Sequence, residues 1–199
     1  MVNFSSVSQR DCLLSRSIFR YINLAAIGSI VGHEISHGYD DEGSQYDSKG
    51  WLVNWWSNAT EKEFNERKAC FIHQYGSIVN PVTKTQIHGE NTLGENIADN
   101  GGIRLAFATH VRLSEDDHGQ VLPGLDEFTP EQLFFISHAL VWCRTTRPEM
   151  GDEVMYDVHS PNRYRVNIPL RNMEEFEAAF QCKTGAPMHA PPKDRCILW

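Results

Sequence analysis

Two short strings of histidine and carboxylate residues constrain this sequence more than any other feature. The first is HEISH at residues 33–37, and the second is ENIAD at residues 95–99. On a helix, His33 and His37 lie one turn apart on the same face, where both imidazoles can reach one ion. A catalytic zinc usually takes three protein ligands and leaves a fourth position for water, and two histidines with a glutamate are a recurring set. The pattern therefore predicts one zinc ion bound by His33, His37 and Glu95.

Glu34 and Asp99 fit two supporting roles that such a site needs. Glu34 directly follows the first ligand, so it projects from a neighbouring face of the helix, within reach of the water rather than of the metal. Zinc lowers the pKa of bound water to about 7, and a nearby carboxylate can take the proton. Asp99 lies one helical turn after Glu95, where it can accept the second ring N–H of a ligating histidine. We therefore predict Glu34 as the general base and Asp99 as an orienting group.

A purely structural explanation of the first string must be weighed against the metal site. The HExxH pattern also arises by chance. Ile27, Ile30, Val31 and Ile35 recur at helical spacing, as in a half-buried helix of a core. This pattern indicates a helix but does not by itself indicate a metal. The glutamate and aspartate of the second string favour the metal site.

Beyond these strings, segments from about Leu24 to Trp199 resemble the neprilysin and endothelin-converting enzyme family of zinc metallopeptidases (M13). The matching segments, in family order, are IVGHEISHGYDD, NTLGENIADNGG, LPGLDEFTPEQLFF, VWCRTTRPE, DVHSPNRYRV and CILW. The resemblance implies a mainly α-helical, thermolysin-like (gluzincin) zinc peptidase catalytic domain. It also implies a zinc-dependent metalloendopeptidase that hydrolyses oligopeptides on the amino side of apolar residues.

The resemblance assigns roles to residues that spacing alone does not identify. His159 matches a family histidine that donates to the oxyanion of the tetrahedral intermediate, and Asp157 matches the carboxylate that orients it. A donor aimed at developing negative charge stabilises the transition state more than the ground state. Arg165 matches a family arginine that hydrogen-bonds a substrate backbone carbonyl. We therefore expect these three residues in the active site.

By the same resemblance, an apolar pocket receives the residue that follows the scissile bond. It is lined partly by Ser29 and Ile30, just before the zinc motif, and by Val141 and Trp142. Ser29 departs from the family, because a larger apolar residue is expected there. A place in the core is an alternative interpretation of Trp142. We expect the pocket to prefer bulky apolar side chains.

The cysteines indicate a disulfide framework, since none of them form a CxxC pair that would suggest a structural zinc site. The resemblance implies that Cys70 pairs with Cys196, and that Cys143 and Cys182 pair with cysteines of a missing N-terminal region. In this chain the latter two could instead pair with each other or with Cys12. Disulfides indicate an oxidising compartment. The resemblance implies an extracellular or cell-surface protein, secreted or a type II membrane ectodomain, although no signal or transmembrane segment is apparent.

The family resemblance also bears on domain organisation. It implies that the chain is the C-terminal catalytic part of a larger two-lobed ectodomain, with residues 23–199 forming the domain and residues 1–22 a divergent segment. A fragment, a partial gene product and a truncated paralogue stay open, as does the oligomeric state. The implied partners are peptide substrates and the missing N-terminal lobe, while the net charge of -8 argues against nucleic acid. The alternative function is a catalytically impaired remnant that binds peptides or has a structural role.

Hydrophobic periodicity and capping residues predict a mostly helical chain. The predicted helices are the zinc helix from Leu24 to near Gly38, 55–75 with Thr60 as N-cap, 92–108 with Gly101-Gly102 as an internal weakness, 131–142 capped by Thr129, and 172–182. Asp40 is expected to cap and solvate the exit of the zinc helix. His138 lacks ligand partners at useful spacing, so we interpret it as a surface or core residue.

Overall fold

Seven α-helices make up most of the regular structure of the described part of this chain. The computed structural model describes residues 20–81, 84–114, 122–145, 147 and 156–199. The helices are α1 (Arg20–Asn23), α2 (Ser29–Ser36), α3 (Asn58–Gly76), α4 (Leu93–Ser114), α5 (Pro130–Val141), α6 (Asn162–Arg171) and α7 (Glu174–Phe180). A π-helical turn, Leu24–Gly28, joins α1 to α2, and 3-10 turns lie at His37–Tyr39, Gly43–Gln45 and Pro192–Asp194. Within these ranges the β-structure consists of two isolated bridges, Tyr46–Leu52 and Val79–Gln86. The mainly helical prediction is confirmed.

Helix α2 buries its small residues rather than its large apolar ones. Ser29, Gly32 and Ser36 are buried, whereas Val31 and Ile35 are 51% and 55% exposed. The apolar spacing correctly predicted a helix here, but the expectation that it marks the core-facing side is wrong for Val31 and Ile35. The face with small residues is buried because it packs closely against α4.

Glycines make that close packing possible. A Cβ atom added to Gly102 would lie 2.6 Å from both the Ser29 carbonyl oxygen and the His33 backbone nitrogen. A Cβ atom on Gly32 would lie 2.8 Å from the Gly102 carbonyl oxygen. Helices α2 and α4 therefore meet backbone to backbone, and any larger side chain at either position would push them apart. The glycine pair predicted to weaken α4 is the contact that brings the two zinc-motif strings together.

The ends of three other helices show how local capping competes with periodicity. Helix α3 begins at Asn58, because the Ser57 hydroxyl accepts the Thr60 backbone N–H. The prediction of Thr60 as N-cap is therefore wrong by one helical turn. Thr129 caps α5 in a reciprocal capping box with Gln132, as predicted for this residue. The helix predicted from residue 172 begins at Glu174, since α6 ends only at Arg171.

Helix α4 contributes to both apolar cores of the described chain. In its C-terminal half, Phe107 packs against Phe134 and Phe135 of α5, and Phe135 in turn contacts Phe176 of α7 in the same cluster. Its first turns, with Ile97, belong to a second cluster that packs beneath α3. The N-terminal part of α4 is consequently held on several sides, which gives the functional residues of this segment a rigid support.

A disulfide between Cys70 and Cys196 ties the C-terminal tail to α3. The Cα atoms of the two cysteines are 5.6 Å apart, and this is the pair that the family resemblance implied. Cys143 and Cys182 are free thiols, whereas Cys12 lies outside the described residues. The ring of Trp199 in the tail stacks on Trp56 beside α3. Among the described residues, the helices are too short or too polar to span a bilayer.

Candidate metal centre

Helices α2 and α4 place three ligand-type side chains around one point. One donor atom from each of His33, His37 and Glu95 lies within 4.8 Å of the other two. The two Nε2 atoms of the histidines are 3.0 Å apart. A carboxylate oxygen of Glu95 lies 3.2 Å from His33 Nε2, and the other lies 3.6 Å from His37 Nε2. These are the three residues predicted as zinc ligands.

The surrounding carboxylates suit this donor set to a divalent cation. The Nδ1 atom of His33 lies 2.9 Å from Asp99 Oδ1, and the Nδ1 atom of His37 lies 2.7 Å from Asp40 Oδ2. A carboxylate facing Nδ1 favours the tautomer that carries the proton there, which leaves the Nε2 lone pair free for a metal. Two such lone pairs facing each other repel unless a cation or a proton lies between them. Two imidazoles and a carboxylate are also a donor set that suits zinc.

Asp40 has a more specific position than its predicted capping role. Its Oδ1 atom accepts the backbone N–H groups of Glu42 and Gly43, so it does order the exit of the zinc helix. Its Oδ2 atom, however, faces His37, and the residue is buried. The expectation that Asp40 is solvated is therefore wrong. Its position three residues after His37, on the following turn, was the signal that could have identified it.

The pKa of His33 reflects a balance between burial and neighbouring carboxylates. Burial disfavours the charged imidazolium, but the contacts with Asp99 and Glu95 outweigh it and raise the pKa to about 9. Burial also raises the pKa of Glu95, yet His33 and the other nearby histidines lower it overall. In the metal-free chain the His33 ring is consequently protonated at neutral pH, and this positive charge offsets the neighbouring carboxylates. Metal binding has to displace this proton.

Arg165 is bound to Asp99 rather than pointing freely into the site. Its Nε and Nη2 atoms donate to the two carboxylate oxygens of Asp99 at 2.8 and 2.7 Å, and Nη2 lies 3.6 Å from Glu95. The guanidinium also lies 4.0 Å from the centre of the Trp142 ring. Burial opposes ionisation of Asp99, but His33 and Arg165 hold its pKa below the usual value. Within the described residues, the Arg165 Nη1 atom makes no hydrogen bond, so it is the donor left for another group.

His159 approaches the ligand set from the segment before α6. Its Nε2 atom lies 3.2 Å from a carboxylate oxygen of Glu95, and its Nδ1 atom lies 2.8 Å from Asp157. The same Asp157 oxygen accepts the His159 backbone N–H, and these bonds lower the pKa of Asp157. The neighbouring Ser160 hydroxyl donates to the Asn96 side chain of α4. That buried bond, which sequence analysis did not foresee, fixes the segment next to the site.

A cavity of about 180 Å³ opens beside these groups. Glu34, His159 and Arg165 line it together with three of the four predicted pocket residues, Ser29, Ile30 and Trp142. Val141, the fourth, is not in the described lining and is partly buried on α5. His138, which we interpreted as a surface or core residue, is buried and also lines the cavity. It lies one turn before Trp142, and that spacing was the available signal.

Comparison with known proteins identifies relatives over nearly the whole chain. The family model described as Peptidase family M13 matches residues 8–196. Membrane metallo-endopeptidase-like 1 of Homo sapiens is 46% identical over an alignment of 181 positions, which covers 89% of this chain and 23% of the relative. Neprilysin-1 of Trittame loki is 43% identical over an alignment of 207 positions, which covers 98% of this chain and 28% of the relative. The chain thus spans about a quarter of the length of these relatives. Since the match begins at residue 8, the boundary at residues 22 and 23 stays a prediction.

Solved structures show the same relationship at the level of the fold. The zinc metalloprotease Zmp1 of Mycobacterium tuberculosis, crystallised with an inhibitor, is 31% identical and superimposes with a TM-score of 0.83. The match covers 94% of this chain and 29% of that structure. PepO from Lactobacillus rhamnosis gives a TM-score of 0.80 at 32% identity. From its sequence, its fold and the arrangement of its histidines and carboxylates, the chain belongs to peptidase family M13.

Proposed function

We propose that this chain is the catalytic portion of a zinc-dependent metalloendopeptidase that cleaves oligopeptides on the amino side of a largely apolar residue. The observation that carries the proposal is the convergence of His33, His37 and Glu95, with one donor atom each within 4.8 Å and a carboxylate facing Nδ1 of each histidine. Family membership supports it, as do the relatives described as metallo-endopeptidase and zinc metalloprotease.

The proposed chemistry divides between the cation and the side chains around it. His33, His37 and Glu95 would hold zinc, with Asp99 and Asp40 orienting the two imidazoles. Bound zinc would polarise the peptide carbonyl and make a water molecule more acidic. Glu34, exposed at the wall of the cavity, would accept the proton of the attacking water and pass it to the leaving nitrogen. This route requires no covalent intermediate with the protein.

Three further groups would act on the substrate. His159 would donate to the developing oxyanion from Nε2, with Asp157 holding its other ring nitrogen. Arg165 would use its remaining nitrogen, Nη1, to bind a substrate backbone carbonyl, because Asp99 occupies the other side of the guanidinium. Ser29, Ile30, Val141 and Trp142 would form the pocket for the residue after the scissile bond.

We place the protein outside the cell or at the cell surface. There it would act on peptides together with a further part of the family ectodomain. The Cys70–Cys196 disulfide supports an oxidising compartment. This chain matches only about a quarter of the length of its relatives. That supports a proposed partner, the N-terminal lobe of the family ectodomain, which would enclose the site. The alternative of a catalytically impaired remnant is not favoured, since the chain belongs to a peptidase family and its sequence retains every residue proposed as a ligand or for catalysis.

Zinc content and peptide hydrolysis by wild-type protein and a Glu34→Gln variant test this proposal. The wild type should bind one zinc per chain and cleave a short fluorogenic peptide in a manner sensitive to chelation. Glu34→Gln should keep the zinc and lose hydrolysis by about 10² to 10⁴-fold, the usual contribution of a general base. Undiminished hydrolysis by the variant would remove Glu34 from the mechanism. A wild-type protein that binds no zinc would refute the proposal as a whole.

A further inference from the structure

A polar pair forms part of the wall of the cavity that we assign to the substrate side chain. Ser29 of α2 and His138 of α5 are each only 4% exposed, and both line this cavity. Their side chains meet, with His138 Nδ1 3.2 Å from Ser29 Oγ. The pocket therefore contains a buried hydrogen-bonding group in a wall that also includes the apolar residues Ile30 and Trp142.

The hydrogen bonds around Ser29 determine which nitrogen of His138 carries the proton. Ser29 Oγ lies 2.8 Å from the Ala25 carbonyl oxygen and 2.9 Å from that of Ala26. Carbonyl oxygens only accept, so the single hydroxyl hydrogen points to this pair of oxygens. The Ser29 oxygen must then accept from His138 Nδ1–H. A neutral imidazole has one N–H, and the other nitrogen, Nε2, is left as an acceptor.

His138 Nε2 is a buried acceptor that lacks a hydrogen-bond partner among the described residues. Such a group is costly to bury, because it has lost water and gained no donor. Protonation does not satisfy it at ordinary pH: burial lowers the pKa of His138 to about 4, although Asp99 and the Ala25 carbonyl oppose this shift. An incoming ligand with a donor at the right position would remove the cost.

We propose that His138 Nε2 accepts a hydrogen bond from the substrate side chain that follows the scissile bond. This proposal rests on the peptidase function proposed above and refines its substrate class. The side chain that fits best has an apolar part, which contacts Ile30 and Trp142, and an O–H or N–H donor near its end. Tyrosine meets this description, and phenylalanine, which has the same shape without the hydroxyl, does not. A site with a buried hydrogen-bonding group discriminates against such an analogue because the group stays unpaired.

Equilibrium binding of two matched peptides tests this preference without requiring turnover. The peptides differ only in tyrosine or phenylalanine after the intended cleavage position, and the protein is the zinc-loaded Glu34→Gln variant, in which hydrolysis should not interfere. We expect dissociation constants from fluorescence anisotropy to favour tyrosine by about fivefold to tenfold, the effect of one neutral hydrogen bond. A second pair, with 4-aminophenylalanine and 4-methylphenylalanine, places an N–H donor or a methyl group where tyrosine has its hydroxyl and should show the same direction, with the amine favoured.

Variants on α5 separate the contribution of His138 from general effects on the pocket. Adding His138→Phe should reduce the tyrosine to phenylalanine ratio to about one or invert it, because the acceptor is gone. Adding Leu140→Ala, on the exposed side of the same helix, should leave the ratio unchanged. Equal binding of the two peptides, tighter binding of phenylalanine, binding of neither, or a ratio that survives His138→Phe would overturn the proposal. If His138→Phe does not fold, the two peptide pairs still decide. Failure of the peptidase function appears separately, as absent zinc or absent hydrolysis in the wild type.

Discussion

Individual residues at the proposed metal centre control one another's protonation. His33 contacts Glu95 through one ring nitrogen and Asp99 through the other, and Asp99 in turn binds Arg165. Each of these groups is buried or nearly so, and each would be unstable there alone, because an unpaired charge in the interior is costly. The chain of contacts lets the carboxylates stay ionised while Nε2 of the imidazole faces the position proposed for the cation.

The third ligand gives the most direct prediction at this scale. We expect Glu95→Ala to reduce zinc affinity by more than about 100-fold, since loss of an outer-shell partner alone costs 10 to 100-fold. Metal content after dialysis against a weak chelator measures the effect. Glu90→Ala, an exposed residue just before α4, is the control and should bind zinc as the wild type does. Undiminished zinc in purified Glu95→Ala would exclude this residue as a ligand.

The raised pKa of His33 predicts how zinc binding depends on pH. The value of about 9 applies to the metal-free chain, so below pH 9 zinc must displace a proton from this ring. Apparent zinc affinity should therefore fall by up to tenfold for each pH unit below about 9. The stability of the chelated protein should show the opposite trend. The contribution of His33 to the free energy of unfolding is complete below about pH 6.5, its ordinary pKa, and is lost as the pH rises through 9.

Calorimetric zinc titrations in buffers of different ionisation enthalpy, together with chemical unfolding of the chelated protein, check both trends. Near pH 7 the titrations should show the release of about one proton from His33. Zinc affinity that stays constant between pH 6.5 and 8.5 would contradict the assignment.

Among the helices, the crossing of α2 and α4 decides whether the site exists. The ligands are on two helices that lie far apart in sequence, and their side chains converge only because the backbones touch at Gly32 and Gly102. The hydrophobic pattern of neither helix predicts this crossing. The close approach is possible because the residues on the two facing surfaces are small.

Gly102→Ala tests the crossing. The added methyl group would lie 2.6 Å from two backbone atoms, which cannot move away as a flexible side chain could. We expect a loss of about 1–3 kcal/mol in the free energy of unfolding, typical of overpacking, together with weaker zinc binding. Urea denaturation and zinc titration measure the two effects. Gly28→Ala is the matched control, because its nearest new contact would be an ordinary 3.5 Å and alanine favours a helix. Equal stability of both variants would show that the helices do not need this close approach.

For the molecule as a whole, the disulfide fixes the C-terminal tail to α3. Cys70 and Cys196 are separated by 126 residues, and the tail beyond α7 packs Leu198 into the core beneath α3. A cross-link over so long a loop restricts the unfolded chain strongly. The tail is therefore part of the domain and not an appendage.

Removal of the cross-link should have a large effect on stability. We expect Cys196→Ser to lower the free energy of unfolding by about 2–5 kcal/mol. Guanidinium denaturation under non-reducing conditions measures it. Cys143→Ser is the control, since Cys143 is an exposed free thiol and its replacement should be nearly neutral. Equal unfolding midpoints for the two variants would mean that the disulfide does not contribute to the stability of the fold.

Sequence patterns predicted most helices. The predictions were accurate where the interactions are local in sequence and less accurate where they join distant segments. Thr129 was predicted correctly as a cap because its bonds are local. The start of α3 was misplaced because Ser57 competes for the same role three residues earlier. The exposed side of α2 was predicted as a core stripe, since periodicity records which residues are apolar and not what lies opposite them. The contacts of Asp40 with His37 and of His138 with Ser29 were not predicted, because they are made with another turn or another helix.

By itself, the sequence determined the helical class, the kinds of ligand and their grouping into two strings, since residue chemistry and helical spacing are local properties. Only the tertiary structure decided that Glu95 reaches His33 and His37, that Asp99 holds Arg165, and that Ser29 meets His138 in the cavity wall. These contacts join helices distant in sequence. They depend on how closely the backbones can pack, which is a property of two facing surfaces together and of neither segment alone.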